Sequence, residues 1–300
     1  MKTERVHRFI SNDFTVRMAA VNATAVVREM QRLQDTLPLP TVAVGRAMVG
    51  ALLMASHLKE GQQVGLYVKG DGLLVAVYAE AHFEGQVRGY TPVPHYAPAD
   101  YSGGLSLKDS IGGGTLTVTR HLPFQRQPHN GTVNLVSGEI GEDIAHYLSQ
   151  SHQIRSIVSL GVYLDTFGKV QAAGGVLIEV MPGVEDEIVD IIQKNHEAAQ
   201  KLPISKLLLS GISAQHLVDP YLPGMKFTEI DHDYPLSYAC PCNKERVARA
   251  METFGPAELE DMISKKEAAE VTCQMCGRPY VISIEELGEI KNKLRRESLH

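Results

Sequence analysis

The spacing of apolar residues along the chain changes rhythm several times, and each change marks an element. The strand-like "RVHRFI" opens it, and helical spacing follows over about 20–35 and 41–58. "QVGLYVKG" and "LLVAVYAEAHF" read as strands flanking Asp71-Gly72, a dipeptide suited to a tight hairpin turn, and "GQVRGY" after Glu84-Gly85 extends them into a meander. "GTLTVTRHL" and "GTVNLVSG" come next, the second behind an Asn130-Gly131 turn signal. A helix starting near Ser137-Gly138 runs through "EIGEDIAHYLSQS", and two alternating runs, "IRSIVSLGVYLD" and "KVQAAGGVLIEVM", close this part. The patterns predict an α+β protein whose residues 1–182 form an N-terminal α/β domain of twisted β-sheets and helices.

Pro182-Gly183 breaks that regime. After it, "VEDEIVDIIQKNHEAAQK" sets Val184, Ile188, Ile191 and Ile192 along one helical stripe, with acids opposite. Pro203, Pro220, Pro223 and Pro235 then interrupt short apolar runs. Residues 183–232 therefore read as a helical linker that packs on its neighbours and cannot fold alone. Its stripe is most simply packing; its place between two domains raises the alternative that it is released to hold unfolded protein. Residues 233–300 form a small C-terminal domain.

Composition narrows the function. The 300 residues are 44% hydrophobic and 21% charged, as in ordinary globular proteins, and the net charge of −6 provides no basic field for nucleic acid or anionic lipid. Within 233–300, ten lysines and arginines face twelve acids, which argues against a phosphate-reading zinc ribbon. The most apolar stretch, "TVAVGRAMVGALLMASHL" (41–58), is short for a membrane span and carries Arg46, so it reads as a buried helix. "MKTERVHRFISNDF" has no apolar h-region, and the expected compartment is the reducing cytoplasm.

All four cysteines fall in two tight pairs, "CPC" (240–242) and "CQMC" (273–276), with thirty residues between them. Four soft thiolates so arranged suit one tetrahedral Zn2+, and Cys240, Cys242, Cys273 and Cys276 are the expected ligands. Gly277 fits a metal knuckle, Pro241 stiffens the first pair, and the helical "KERVARAMETF" and "PAELEDMISKK" span the gap. His232 is a weaker candidate ligand. Arg278 and Lys244 stand beside the thiols and are candidates for lowering their pKa.

Such sites are commonly structural staples, but magnitudes allow more here. A core this small supplies about 3–5 kcal/mol, whereas structural zinc contributes on the order of 10–16 kcal/mol in small zinc peptides. Thiolates are also what peroxide attacks. Cys273 and Cys276 can close a disulfide across a turn; Cys240 and Cys242 can do so only if the backbone bends to bring their Cα atoms within about 7 Å. The CxxC pair is expected to oxidise first.

Other chemistry finds little support. "SIGGGT" (110–115), with Asp109, His121 and His146 as polar candidates, lacks the Walker lysine and the dinucleotide fingerprint. Gly277-Arg278-Pro279 after the CxxC breaks the helix that a thioredoxin-like oxidoreductase needs. No catalytic residues are assigned, and an enzyme carrying a structural zinc domain stays as the alternative, beside the zinc ribbon.

The CxC…CxxC spacing near the end of a chain this long, with "KGDG" (69–72), "AGG" (173–175) before an apolar strand and "PG", and an acidic helix ahead of the metal domain, resembles the redox-regulated 33-kilodalton heat-shock chaperones, a bacterial holdase family. The resemblance covers the whole chain. It implies a reduced, zinc-bound, inactive form with a metastable linker at 183–232. It further implies that oxidation under unfolding stress forms Cys240–Cys242 and Cys273–Cys276 disulfides, expels zinc and melts the C-terminal domain and linker. Apolar surface then holds unfolding client proteins without ATP. A homodimer when active and downstream ATP-dependent foldases are implied as well.

Overall fold

The computed structural model describes residues 4–97, 106–125, 127–184, 186–199, 202–266 and 268–297. The chain divides into two compact units, Met1–Ala239 and Cys240–His300. The first is mixed α+β: β1 (Val6–Ser11), β2 (Val16–Asn22), α1 (Thr24–Gln34), α2 (Pro38–Ala55), β3 (Gln63–Gly70), β4 (Ala76–His82), β5 (Gln86–Tyr90), α3 (Leu107–Ile111), β6 (Gly114–His121), β7 (His129–Asn134), α4 (Gly141–His152), β8 (Ser156–Leu164), β9 (Val170–Val180), α5 (Asp186–Ala199), α6 (Ile204–Leu209), β10 (Phe227–Ile230) and β11 (Ser237–Tyr238). One sheet has the order β10-β1-β2-β9-β8 and is antiparallel throughout. The other runs β11-β5-β4-β3-β6-β7, with only the β11–β5 pairing parallel.

Helix α2 packs on strands of both sheets, which is why its sequence is apolar on every side. By length and composition it would cross a membrane; here it is the central core helix. Arg46, its one charge, reaches the core margin and pairs with Glu139.

Strand β2 replaces the start of the helix expected from about residue 20. Its Ala19 and Val21 face the α2 core, while Val16, Met18 and Ala20 face the other side of the sheet, and all five are buried. A strand buried on both faces shows no polar alternation. Two turn signals also act differently from expectation. Asp71-Gly72 does not close a two-residue hairpin: the Asp71 N–H donates to the Gly113 carbonyl and Gly72 N–H to Ile111, so the loop is tied to α3 and β4 starts only at Ala76. Asn130-Gly131 lies inside β7, where a Cβ on Gly131 would come within 2.9 Å of the Tyr147 ring.

The "AGG" run sits in β9 between two layers. A Cβ on Gly174 would meet Leu208 of α6 at 2.6 Å, and one on Gly175 would meet Val49 of α2 at 2.8 Å. Small residues there let helices approach from opposite faces. On the α6 side, Ile192, Ile204, Leu217, Val218, Tyr221 and Leu222 close over Phe9, Met18, Val176 and Ile178 as a second buried cluster. Residues 192–199 and 202–222 thus cover an apolar sheet face. Of the expected stripe, Ile192 is buried in this cover, Ile191 points to solvent, and the side chain of Ile188 lies outside the described residues.

The segment after the cover is stitched across both sheets. β10 pairs with β1, Arg5 bridges to Pro235, Leu236 N–H donates to the Glu4 carbonyl, and β11 pairs with β5. Residues 233–239 therefore belong to the first unit, and the C-terminal unit begins at Cys240 rather than at 233.

Beneath the core lies a buried ionic group. The Glu179 carboxylate, 3% exposed, sits 2.6 Å from His57 Nδ1 and 2.5 Å from Arg17 Nε. Burial pushes its pKa up, but the hydrogen bonds and charges of His57 and Arg17 outweigh burial and hold it down at about 2. Because the folded value lies below the unfolded one, near 4.3, this contribution of about 3 kcal/mol is present above that value and lost as pH falls toward 2. Glu179→Gln should remove the corresponding part of the acid limb in denaturant titrations between pH 2 and 7. An unaltered acid limb would contradict this.

The C-terminal unit contains α7 (Lys244–Met251), α8 (Gly255–Ser264), a hairpin of β12 (Ala269–Thr272) and β13 (Pro279–Ile282), and α9 (Ile284–Glu297). Its core is small: Val247, Met251, Leu259, Ile282, Leu287 and Ile290. Both linking segments expected to be helical are so.

Candidate metal centre

Local structure brings the four thiols to one point. Asn243 caps α7 by accepting the Arg246 N–H at 2.8 Å, so the helix starts directly behind "CPC". The second pair occupies the turn of the β12–β13 hairpin, where Cys273 N–H donates to the Arg278 carbonyl and Gly277 N–H, at a residue with φ of 68°, returns to the Cys273 carbonyl. Behind it, Ser283 and Glu286 form a reciprocal capping box that starts α9.

The four Sγ atoms lie within 4.8 Å of one another. Cys240 and Cys273 are 3.7 Å apart, Cys242 and Cys276 3.3 Å. A tetrahedron of Zn–S bonds near 2.3 Å places sulfurs about 3.8 Å apart, so spacing and donor softness both fit zinc. The knuckle amides turn inward: Cys242 N–H donates to the Cys240 sulfur and Arg278 N–H to Cys276. Tyr280 donates its hydroxyl to Cys242 Sγ at 3.1 Å.

Crowded thiols cannot all ionise alone. Burial, with hydrogen bonds to the other sulfurs, pushes Cys276 up to about 12 and raises Cys240. Burial also opposes ionisation of Cys242, but hydrogen bonds from Tyr280 and the neighbouring thiols prevail and bring it down to about 7. The cage by itself eases ionisation of Cys242 and opposes that of Cys240 and Cys276; a dication is what would let all four be anionic.

The other expected residues lie elsewhere. His232 is buried in the first unit, its ring 4.8 Å from Phe83 and 5.3 Å from Tyr234. Lys244 does not serve the sulfurs: its Nζ is 2.7 Å from Glu286. The Arg278 side chain hydrogen-bonds Tyr280, and that bond with the charges of Cys242 and Cys276 raises the pKa of its own guanidinium. Asp109 lies in α3, His121 ends β6 and His146 lies on α4, and among the described residues the three form no ligating group with one another. Tyr280 was not singled out in the sequence; its place four residues after Cys276, on the strand leaving the knuckle, is the signal that would have found it.

A sequence model of the Hsp33 protein matches residues 4–283. The chain belongs to the Hsp33 family. Among its Hsp33 relatives, the "33 kDa chaperonin" of Latilactobacillus sakei is 34% identical over 94% of this chain and 96% of that protein. The one from Thermus thermophilus is 37% identical over 97% and 87%. The crystal structure of the Thermotoga maritima 33 kDa chaperonin, an Hsp33 homologue, superimposes with a TM-score of 0.84 at 32% identity, covering 98% of this chain and 99% of that one. The Hsp33 chaperone assignment therefore rests on nearly the whole length.

Proposed function

We propose that this Hsp33 protein is a redox-controlled, ATP-independent holdase of the reducing cytoplasm, switched at Cys240, Cys242, Cys273 and Cys276. The observation that carries the reading is the gathering of four sulfurs within 4.8 Å in a unit whose core, among the described residues, has six buried apolar side chains with seven partly buried ones packed against them. A zinc ion held there supplies the folding energy that this core lacks. The thiolates hold it and remain the groups that an oxidant reaches. With hydrogen peroxide, one thiolate attacks an oxygen, the O–O bond breaks and hydroxide leaves; its pair-mate then attacks the resulting sulfenic sulfur, forming the disulfide and releasing the second hydroxide. Each disulfide thus takes two electrons from sulfur. With Cys240–Cys242 and Cys273–Cys276 closed, no thiolate is left to ligate metal, and the unit unfolds.

The first unit supplies the client surface. The cover at 192–199 and 202–222 continues through the stitched segment 227–238 into Cys240, and it conceals the apolar face built from Phe9, Met18, Val176 and Ile178. Release of the cover exposes that face to unfolding proteins. Dimerisation of the active form and hand-over to ATP-dependent foldases complete the proposed cycle; binding of nucleic acid or membrane is no part of it. Light scattering by a thermally unfolding test protein checks the reading. Suppression should appear after peroxide at elevated temperature, accompany zinc release and vanish on reduction. Equal suppression by reduced and oxidised protein would refute it.

A further inference from the structure

The hydroxyl of Tyr280 bears on one sulfur of the four. It donates to Cys242 Sγ at 3.1 Å from β13, a strand fixed by its pairing with β12, where Tyr280 faces Val271. The Arg278 side chain hydrogen-bonds Tyr280 in turn, which gives the phenol a second partner. A hydrogen bond donated to a thiolate engages the lone pair with which it would attack an oxidant, and such charge-assisted bonds are among the stronger ones. Groups bonded to metal ligands in this way commonly change metal affinity about 10–100-fold when removed.

We propose that Tyr280 is a positioning residue of the redox switch, shielding the Cys242 sulfur so that peroxide is consumed first by the Cys273/Cys276 pair. This rests on the zinc-thiolate reading above. In the first step a thiolate of that pair forms an S–O bond, the peroxide O–O bond breaks and hydroxide departs. In the second, the other thiolate of the pair forms the S–S bond and displaces hydroxide from the sulfenic sulfur. Two electrons pass from sulfur to one peroxide, and solvent protons convert the hydroxides to water. The Cys240/Cys242 pair follows once its cage has lost two members. The stiff Pro241 turn acts in the same direction, since its cysteines bridge only after the backbone bends.

The test is the order of oxidation in zinc-loaded, full-length protein. Reduced wild type and Tyr280→Phe are treated with less than one equivalent of hydrogen peroxide, the remaining thiols are trapped by differential alkylation, and the pairs are identified by mass spectrometry. Transfer of zinc to a chromogenic chelator is followed in parallel. Wild type should form Cys273–Cys276 first. Tyr280→Phe should raise the early share of oxidation at Cys240 and Cys242 about tenfold relative to the other pair and speed zinc transfer by a similar factor. Identical order and rates in a folded, zinc-loaded Tyr280→Phe protein overturn the proposal. If that variant does not fold, Arg278→Ala, which removes the second hydrogen bond to the phenol, is read in the same way. A shift of early oxidation toward Cys240 and Cys242 supports the proposal, and an order and rate identical to wild type overturn it, as does early formation of Cys240–Cys242 in the wild type. A wild type that binds no zinc, or whose chaperone activity ignores oxidation, overturns the underlying function itself; a wild type that switches normally while Tyr280→Phe matches it removes this inference alone.

Discussion

Cys276→Ser should leave residues 240–297 unfolded at temperatures where the wild type is folded, with the first unit intact. Among the described residues the unit buries six apolar side chains in its core, and cross-element ion pairs such as Lys244–Glu286 and Lys293–Glu252 are largely exposed, where pairs contribute about 0–1 kcal/mol. A core of this kind yields about 3–5 kcal/mol, set against on the order of 10–16 kcal/mol from a four-thiolate zinc site. Removing one of four sulfurs, or removing the metal with a strong chelator, takes away the larger quantity. Circular dichroism and zinc content measured on the same samples check it: helix signal from α7–α9 should disappear in proportion to the lost metal. A zinc-free protein with those helices intact would show that the small core suffices.

The second large effect concerns the cover. Leu217 and Tyr221 are buried against the five-stranded sheet, and Asn195 Nδ2 ties the cover together by donating to the Tyr221 carbonyl at 2.9 Å. Large-to-small changes at such sites cost about 2–5 kcal/mol each. Leu217→Ser with Tyr221→Ser should therefore free the cover without oxidation, while the sheet, held by its ladders and by α2 on its other face, persists. The reduced double variant should bind a hydrophobic dye and suppress aggregation as the oxidised wild type does. If limited proteolysis shows the cover released and neither property appears, the sheet face is not the client surface.

How legible all this was depends on burial. The candidate metal centre stood out because four thiols in two tight pairs are chemically conspicuous and their spacing survives any fold. The meander β3–β5 was equally clear, since one face of each strand is polar. β2 was hidden because both of its faces are buried, and β10 because four residues on a sheet edge leave no period to read. The turn dipeptides misled because glycine was needed there for close approach and for backbone contacts with α3 rather than for tight turns. Tyr280 looked like an ordinary strand residue; only its distance to Cys242 reveals its part. The boundary at Cys240 depended on long-range pairings such as Arg5 with Pro235, which no local pattern records.

Hydrogen exchange by mass spectrometry on zinc-loaded and peroxide-oxidised protein, with zinc counted in each sample, tests the central claim most directly. The account predicts that oxidation removes protection together from 240–297 and from 204–222, in step with zinc loss, while β1, β2, β8 and β9 stay protected. Oxidised, zinc-free protein that keeps both segments protected would contradict it.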